Sequence, residues 1–341
     1  MLPLVLTMGD PTGVGPELIV KMLLDGDLAT LPRPVRVIGD IEALVQAGRI
    51  FGVNAEAIDS TGPIQRLDFN GRTLVVEAVS RLSPGNLIYG QPDSACGRAM
   101  ADYIDRAARQ CLDGSAHAMV TCPINKKAIN TAGYHFPGHT EFLADRCGVE
   151  RVVMMLAGTS LKVCLVTTHL PLAEVAQQLS TEVILTTLRI TNTALKNHFD
   201  LPQPRLAVLA LNPHAGENGL FGDEEQRLIA PAIAAAGKEG ISASGPHSAD
   251  TLFHFAVRGS ADAVICMYHD QGLIPLKLLH FFDAVNVTLG LPIIRTSVDH
   301  GTAYDLAGSG KAGTASLCAA LRMAATMATL SPLKETDANN D

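Results

Sequence analysis

The chain has 341 residues, 47% apolar and 18% charged, with a formal net charge of −8. That acidic balance argues against general nucleic-acid binding, which a basic stripe would mark, and the lack of Trp with only 4% aromatic residues argues against a stacking platform for single strands. No stretch approaches the roughly 18 apolar residues needed to span a bilayer, so the reading is a cytoplasmic globular protein with no membrane partner, long enough for two domains at about 100–200 residues each.

MLPLVLTMGDP opens the chain with an apolar run that lacks a basic leader and breaks at Gly9-Asp10-Pro11. It predicts a strand over 4–8 rather than a signal peptide. Gly15-Pro16-Glu17 then starts a helix, with Pro in the first turn, where its missing N–H costs nothing, and Glu beside the free amides. Further apolar runs follow at 35–38, 119–122, 162–167, 206–211, 263–268 and 285–289, with helical patterns over 181–197 and 223–236. Continuous apolar strands alternating with helices specify an α/β protein with a mostly parallel sheet. SLCAALRMAATMATL, interrupted by Arg322, predicts a packed helix, and the tail KETDANND predicts disorder. The seven cysteines form no CxxC pair, and Cys122, Cys164 and Cys266 lie in apolar runs, so they read as reduced, buried thiols.

Three of these strands run into histidine. KVCLVTTH ends at His169, LAVLALNPH at His214 and AVICMYH at His269. In a parallel sheet, groups beyond the carboxyl ends of the strands gather along one edge. Three imidazoles there, with a fourth position open, suit a catalytic divalent metal. A single histidine after a strand is more often an ordinary loop residue, and no compact motif such as HExxH supports the metal. Other polar residues stand at helix starts. Thr140 of GHTE is placed to N-cap a helix whose free amides suit an anion, and Asp250 of GPHSADTLF is placed to cap another. Lys277, Asn286 and Arg295 lie in or beside apolar segments, where the usual role of such charges is a surface or ion-pair one and an anionic substrate would give them a functional one. Gly272 is read as letting the chain turn after MYHDQ, so that Lys277 comes back toward the same substrate as His269. GDPTGVGPE has neither the GxGxxG nor the P-loop spacing and reads as a tight strand-to-helix connection.

Taken together, MGDPTGVGPE, PGHTEFLAD, TTHLPL, NPHAGENGLFGDEE, GPHSADTLF, MYHDQGLIPLK and VNVTLGLPIIRTSVDHGTAYDLAG resemble, in this order and along nearly the whole chain, the 4-hydroxythreonine-4-phosphate dehydrogenase family of pyridoxine and pyridoxal-phosphate biosynthesis. The resemblance implies two α/β/α domains around a cleft, like the isocitrate and isopropylmalate dehydrogenases. They are drawn here as 1–135 with 298–341, and as 136–297 carrying most of the metal and substrate residues. It implies a homodimer whose active site, metal ligands included, is shared between subunits. The ligands it implies are His169, His214 and His269, holding zinc, magnesium or cobalt. The phosphorylated substrate would meet His139, Thr140, Lys277, Asn286 and Arg295. By likeness to the HGSAPDIAG-type loop of related dehydrogenases, NAD or NADP would lie on His300, Gly301, Thr302 and Ala303, with Asp305 nearby.

The implied reaction oxidises the C3 hydroxyl of 4-phosphohydroxy-L-threonine, passes hydride to the nicotinamide, and loses CO₂ to leave 3-amino-2-oxopropyl phosphate. A divalent ion would lower the hydroxyl pKa and polarise the ketone. Lys277 or Asp250 would relay the proton. Phe221 in NGLFGDEE, and Cys122 in TCP where a smaller residue is expected, also suit a sugar-acid branch. That branch would oxidise 4-phospho-D-threonate or 4-phospho-D-erythronate to dihydroxyacetone phosphate. A metal-dependent lyase or hydrolase without a redox cofactor is a further alternative.

Overall fold

The computed structural model describes residues 1–59 and 62–331, and the tail KETDANND lies outside them. The chain divides into two compact units, Met1–Glu150 with Leu291–Asp341, and Arg151–Gly290. The sequence draws these limits at 135 and 298. In the structure, 136–150 and 291–297 belong with the first unit, because helix His139–Cys147 packs on helix Ser94–Leu112 and strand Ile294–Val298 pairs with Ala118–Thr121.

Among the described residues the strands are, in chain order, β1 (Leu4–Thr7), β2 (Val35–Asp40), β3 (Ala55–Asp59), β4 (Ile64–Phe69), β5 (Arg72–Ser80), β6 (Ala118–Thr121) and β7 (Val153–Ala157). There follow β8 (Lys162–Leu165), β9 (Leu206–Leu209), β10 (Ala243–His247), β11 (Ala263–Cys266), β12 (Val285–Leu289) and β13 (Ile294–Val298). In the first unit the order is β13-β6-β1-β2-β5-β4-β3. Neighbours from β13 to β5 are parallel, and β4 and β3 add on antiparallel. In the second unit the order is β10-β9-β11-β8-β7-β12. The first four are parallel, and β7 and β12 are antiparallel.

The protein is therefore α/β, as its alternation of apolar strands and helices requires. Every residue of β1, β6, β9 and β11 is buried, which is why these strands read as unbroken apolar runs rather than as alternations. In the second unit Val163, Leu165, Leu209, Val264 and Cys266 form the core with Leu273 and Leu276 of helix His269–Leu279 and Leu252 of helix Ala249–Ala256.

The expected elements are present, with informative differences at their ends. β8, β9 and β11 stop at 165, 209 and 266 rather than at 167, 211 and 268. The chain stays buried past those points at Val166, Thr167, Ala210 and Met267, so burial outlasts strand pairing and the apolar run overstates the strand. Helix Gly15–Asp25 begins as expected, with Pro16 and Glu17 in its first turn, and Gly26 ends it at φ 88°. Helix Thr181–His198 is capped by Ser180, whose side chain accepts from Val183 N–H. The helix expected over 223–236 opens instead with a π-helical turn, Glu225–Ile229, before α-helix Ala230–Lys238. Pro231 has no N–H to give the preceding turn, and a widened turn absorbs that loss.

Gly272 does not turn the chain. It lies inside helix His269–Leu279, where a Cβ would come within 2.8 Å of Cys266 Sγ and 3.2 Å of Val163 Cβ. Its small size lets the helix lie closely on β8 and β11. Gly272→Ala should therefore lower unfolding stability by about 1–3 kcal/mol through overpacking. Gly237→Ala, in open space in helix Ala230–Lys238, should raise it by about 0.5–1 kcal/mol. Urea midpoints of the two variants read both effects, and equal midpoints would refute the packing role of Gly272.

Candidate active site

Because β10, β9, β11 and β8 are adjacent and parallel, their carboxyl ends share one edge of the second unit's sheet. His247 closes β10 itself, and His214, His269 and His169 follow β9, β11 and β8. The three histidines singled out in the sequence thus emerge along one sheet edge. The structure adds His247 beside them, with Nε2 2.9 Å from Ser244 Oγ.

The ends of these strands are stitched together. Met267 N donates to Gln271 Oε1, and Gln271 Nε2 donates to Ala210 O, both at 2.7 Å. Thr167 Oγ1 donates to Met267 O at 2.7 Å, and Ala210 N to His247 O at 2.8 Å. On this frame the rings of His169 and His269 lie 5.7 Å apart between centroids. His269 Nδ1 is 2.7 Å from Asp270 Oδ1, which turns Nε2 toward the side of the ring away from that carboxylate. His214 packs beside the Phe221 ring instead, at 6.3 Å. Among the described residues of this one chain, no three His, Cys, Asp or Glu side chains converge closely enough to hold an ion. The fold brings two of the three expected ligands together and holds the third on a separate loop.

That loop is strained. His214, Ala215, Glu217 and Asn218 have φ of 52°, 53°, 44° and 57°, with Gly216 at 78° between them. Each non-glycine residue in this left-handed region costs about 1–2 kcal/mol. Such strain persists only where the surroundings over-determine it, and it clusters at functional sites.

Among the other expected residues, Lys277 lies half-buried on helix His269–Leu279 and Asn286 half-buried on β12. Asp250 is exposed and does not cap its helix. Ser248 holds the N-cap position, and its Oγ donates to Asp250 Oδ1 at 2.7 Å. Ser160, His280 and Asp283 tie the β7–β8 turn to the end of the helix bearing His269. Ser160 Oγ is 2.7 Å from His280 Nε2, and His280 Nδ1 is 3.2 Å from Asp283 Oδ2.

The first unit carries His139, Thr140 and Arg295. Helix His139–Cys147 is preceded by Gly138 in the N-cap position, so Thr140 sits within the first turn rather than capping it. Arg295 is only 2% exposed on β13 and donates to Thr121 Oγ1 of β6 at 2.8 Å. Burial pushes its guanidinium down to about 9, opposed by the Glu141 carboxylate. His139 is partly exposed as a residue, but its Nε2 is buried and lacks a hydrogen-bond partner among the described residues. Burial, reinforced by the charges of Arg295 and Lys126, holds the ring well below its ordinary 6.5, so it is neutral at pH 7. A buried guanidinium, a neutral imidazole, a lysine and the open amides of a helix start together suit an anion. Lys126 belongs to none of the motifs that mark the other site candidates. The signal was Lys126-Lys127 in CPINKK, the segment that follows β6, a charged pair soon after a strand's carboxyl end.

The loop after β13 docks on the turn after β1. Thr302 O accepts from Val14 N at 3.1 Å. Tyr304 Oη donates to Asp10 Oδ2 at 2.5 Å and accepts from Asn125 Nδ2 at 2.7 Å. Asp10 also accepts from Thr12 N and Oγ1, both at 2.8 Å. Burial raises the Asp10 carboxyl, and the bonds from Tyr304 and Thr12 oppose that rise. Along this loop His300 and Asp305 are exposed, Ala303 has φ 44°, and a Cβ on Gly301 would meet open space. GDPTGVG is thus a docking turn for the HGTAYDLAG loop.

Parallel strands that run into histidines along one edge, with a buried guanidinium elsewhere in the fold, suit an α/β enzyme acting on a small molecule. The family model of the pyridoxal phosphate biosynthetic protein PdxA matches residues 31–324. Over 325 residues the chain is 56% identical to a 4-hydroxythreonine-4-phosphate dehydrogenase of Geobacter metallireducens, covering 95% of each chain. A crystal structure of that enzyme from Klebsiella pneumoniae superposes with a TM-score of 0.84 at 41% identity, covering 96% of this chain and 98% of that one. A terephthalate 1,2-cis-dihydrodiol dehydrogenase from Burkholderia xenovorans is similar at a TM-score of 0.64 and 28% identity, covering 95% of this chain and 98% of that one. The chain belongs to the PdxA family and is a dehydrogenase, an oxidoreductase acting on a CH–OH group.

The depressed His139 has a consequence for stability. Above 6.5 it is neutral in both folded and unfolded chains. As pH falls below 6.5 the unfolded chain takes up the proton and the folded chain does not, so this group's share of stability is lost on acidification. His139→Gln should show a shallower fall in urea midpoint between about pH 7 and pH 5 than the parent. Parallel curves would mean that His139 titrates normally.

Proposed function

We propose that this chain is a metal- and NAD(P)-dependent 4-hydroxythreonine-4-phosphate dehydrogenase. It oxidises the C3 hydroxyl of 4-phosphohydroxy-L-threonine, with loss of CO₂, to 3-amino-2-oxopropyl phosphate. The observation that carries the reading is the near-full-length identity to a relative of that name, which the nearly inaccessible Arg295 guanidinium supports from within the fold.

In this reading Arg295 forks onto an anionic group of the substrate, a geometry that suits carboxylate or phosphate. The anion offsets the cost of keeping a charge dry. His139 completes its hydrogen bonding through Nε2, and Thr140 with the neighbouring helix amides adds donors. Lys277 and Asn286 orient the rest of the substrate. The hydroxyl proton must leave as hydride leaves carbon, and Lys277 or Asp250 takes it. The electrons of the carboxylate bond then flow toward the new carbonyl as CO₂ departs.

The donors of the second unit fit a divalent ion: two imidazoles share one sheet edge, and one of them is oriented by a carboxylate. Bound on His169, His214 and His269, such an ion (zinc, magnesium or cobalt) would polarise the alcohol and the ketone it becomes. The exposed, anchored loop of His300, Gly301, Thr302, Ala303 and Asp305 suits the adenosine half of NAD or NADP, whose nicotinamide accepts the hydride. A homodimer with ligands shared between subunits accounts for the apolar face at Ile274, Leu278, Phe281 and Phe282, which is exposed along and just beyond the helix of His269 and Lys277. No helix among the described residues is long and apolar enough to cross a membrane, which is compatible with the cytoplasmic setting read from the sequence.

The test is NADH formation by the purified chain with a divalent metal supplied. 4-Phosphohydroxy-L-threonine should turn over and 4-phospho-D-threonate should not; the reverse preference would sink the substrate assignment. His169→Ala and His269→Ala should each lose both bound metal and turnover. Arg295→Gln should cost about 2–5 kcal/mol of transition-state binding, read from kcat/KM. Of Lys277→Ala and Asp250→Asn, the variant that loses a limb of the pH–rate profile identifies the base. Two unaltered profiles would place it elsewhere.

A further inference from the structure

We infer that Glu225 is a positioning residue for His214. Its buried carboxylate grips the foot of the His214 loop and holds that loop in its left-handed conformation. The inference rests on the reading of His214 as a metal ligand.

Beyond Leu209, β9 leaves its neighbours, and the next peptide groups need partners outside the sheet. Ala210 N reaches His247 O, but Leu211 N and Asn212 N turn to Glu225. Both donate to Glu225 Oε1 at 2.8 Å, and Asn212 Nδ2 donates to Glu225 Oε2 at 3.1 Å. The same Asn212 amide donates to Glu224 Oε2 at 2.7 Å. Glu225 is 3% exposed and opens the π-helical turn that follows the loop. One carboxylate therefore ties the two ends of the segment from 211 to 225.

Two glycines make room for this grip. A Cβ on Gly216 would lie 2.6 Å from Glu225 Oε2, and a Cβ on Gly222 would lie 2.5 Å from Asn212 Nδ2. Both glycines have positive φ, at 78° and 130°. Asn212, Gly216, Gly222, Glu224 and Glu225 of NPHAGENGLFGDEE thus form one device, and His214 stands between its jaws. The left-handed run at His214, Ala215, Glu217 and Asn218 is unfavourable for the isolated chain, so something outside those residues must hold it. A partner that orients a ligand-bearing segment typically changes metal affinity by about 10–100-fold when removed.

The experiment compares Co²⁺ titrations of the full chain, followed by visible absorption, with amide hydrogen exchange at Leu211 and Asn212. Glu225→Ala should weaken Co²⁺ binding by about 10–100-fold and speed exchange at both amides. Glu225→Gln keeps an acceptor oxygen for both backbone amides and should stay close to the parent in both readouts. His214→Ala supplies the reference for a lost ligand. If Glu225→Ala binds Co²⁺ like the parent while His214→Ala does not, the positioning role is overturned and the ligand reading stands. If His214→Ala itself binds like the parent, the ligand reading falls and takes the inference with it. Loss in Glu225→Gln equal to that in Glu225→Ala would point to charge rather than grip and would also overturn it, as would unchanged amide protection in Glu225→Ala. Should Glu225→Ala fail to fold, Gly216→Ala, whose methyl would displace the carboxylate, carries the same expectation and the same refutation.

Discussion

The side-chain amide of Gln271 holds the working edge of the second unit together. β9 and β11 are neighbours whose ladders end at the same level, and beyond those ends Met267 N–H and Ala210 C=O are buried. Gln271 satisfies both at once. Without it each group would stand unpaired in the interior, at about 1–3 kcal/mol apiece. His269 lies two residues before this amide and His214 four after Ala210, so both inherit their footing from it. The run from a buried strand into His-Asp-Gln-Gly has a reason at each position. Asp270 engages the imidazole, Gln271 closes the strand ends, and Gly272 lets the helix press against β8 and β11.

The two units handle polar chemistry differently. In the second, His169 and His214 are exposed, and fixed backbone beneath them supplies the order. In the first, Arg295 and the inner nitrogen of His139 are buried, and order comes from removing water. A buried guanidinium on a strand, donating to the neutral Thr121 Oγ1, carries a desolvation cost that the anion of the proposed function would offset. The Asp10–Tyr304–Asn125 chain carries a milder cost of the same kind, by burying a carboxylate to anchor a loop that remains open to solvent.

Much of this was legible in the sequence, for physical reasons. Strands buried on both faces leave unbroken apolar runs, and a parallel sheet dictates that residues following such runs share an edge. That is why His169, His214 and His269 could be placed along one edge from pattern alone, while their reading as ligands came from the family resemblance. Other features left weaker traces. β3 and β4 are mostly exposed or half-exposed, so no apolar run marks them. The strand ends were overestimated because Thr167, Ala210 and Met267 are buried without continuing the ladder. The left-handed run could not be read, because Ala215 and Glu217 disfavour that conformation and only the grip of Glu225 explains it. Glu225 itself looked like one acid in a polar turn. Nothing local distinguishes it from Glu224, and its burial is decided by two glycines that the folded loop brings beside it and Asn212.

The nesting of one unit within the other also fixes an order of completion. Residues 151–290 form a continuous unit, while the first unit needs β13 and helix Ala315–Leu330 from the far end of the chain. β13 supplies the neighbour of β6, and the helix buries Leu317, Leu321 and Ala324 while Ala320 O accepts from Thr296 Oγ1. During synthesis, then, the inner unit can close while the outer one still has an uncovered β6 edge. The segment that carries Arg295 follows the whole inner unit, so the nascent chain can assemble its histidine-bearing edge well before β13 and its buried guanidinium are in place.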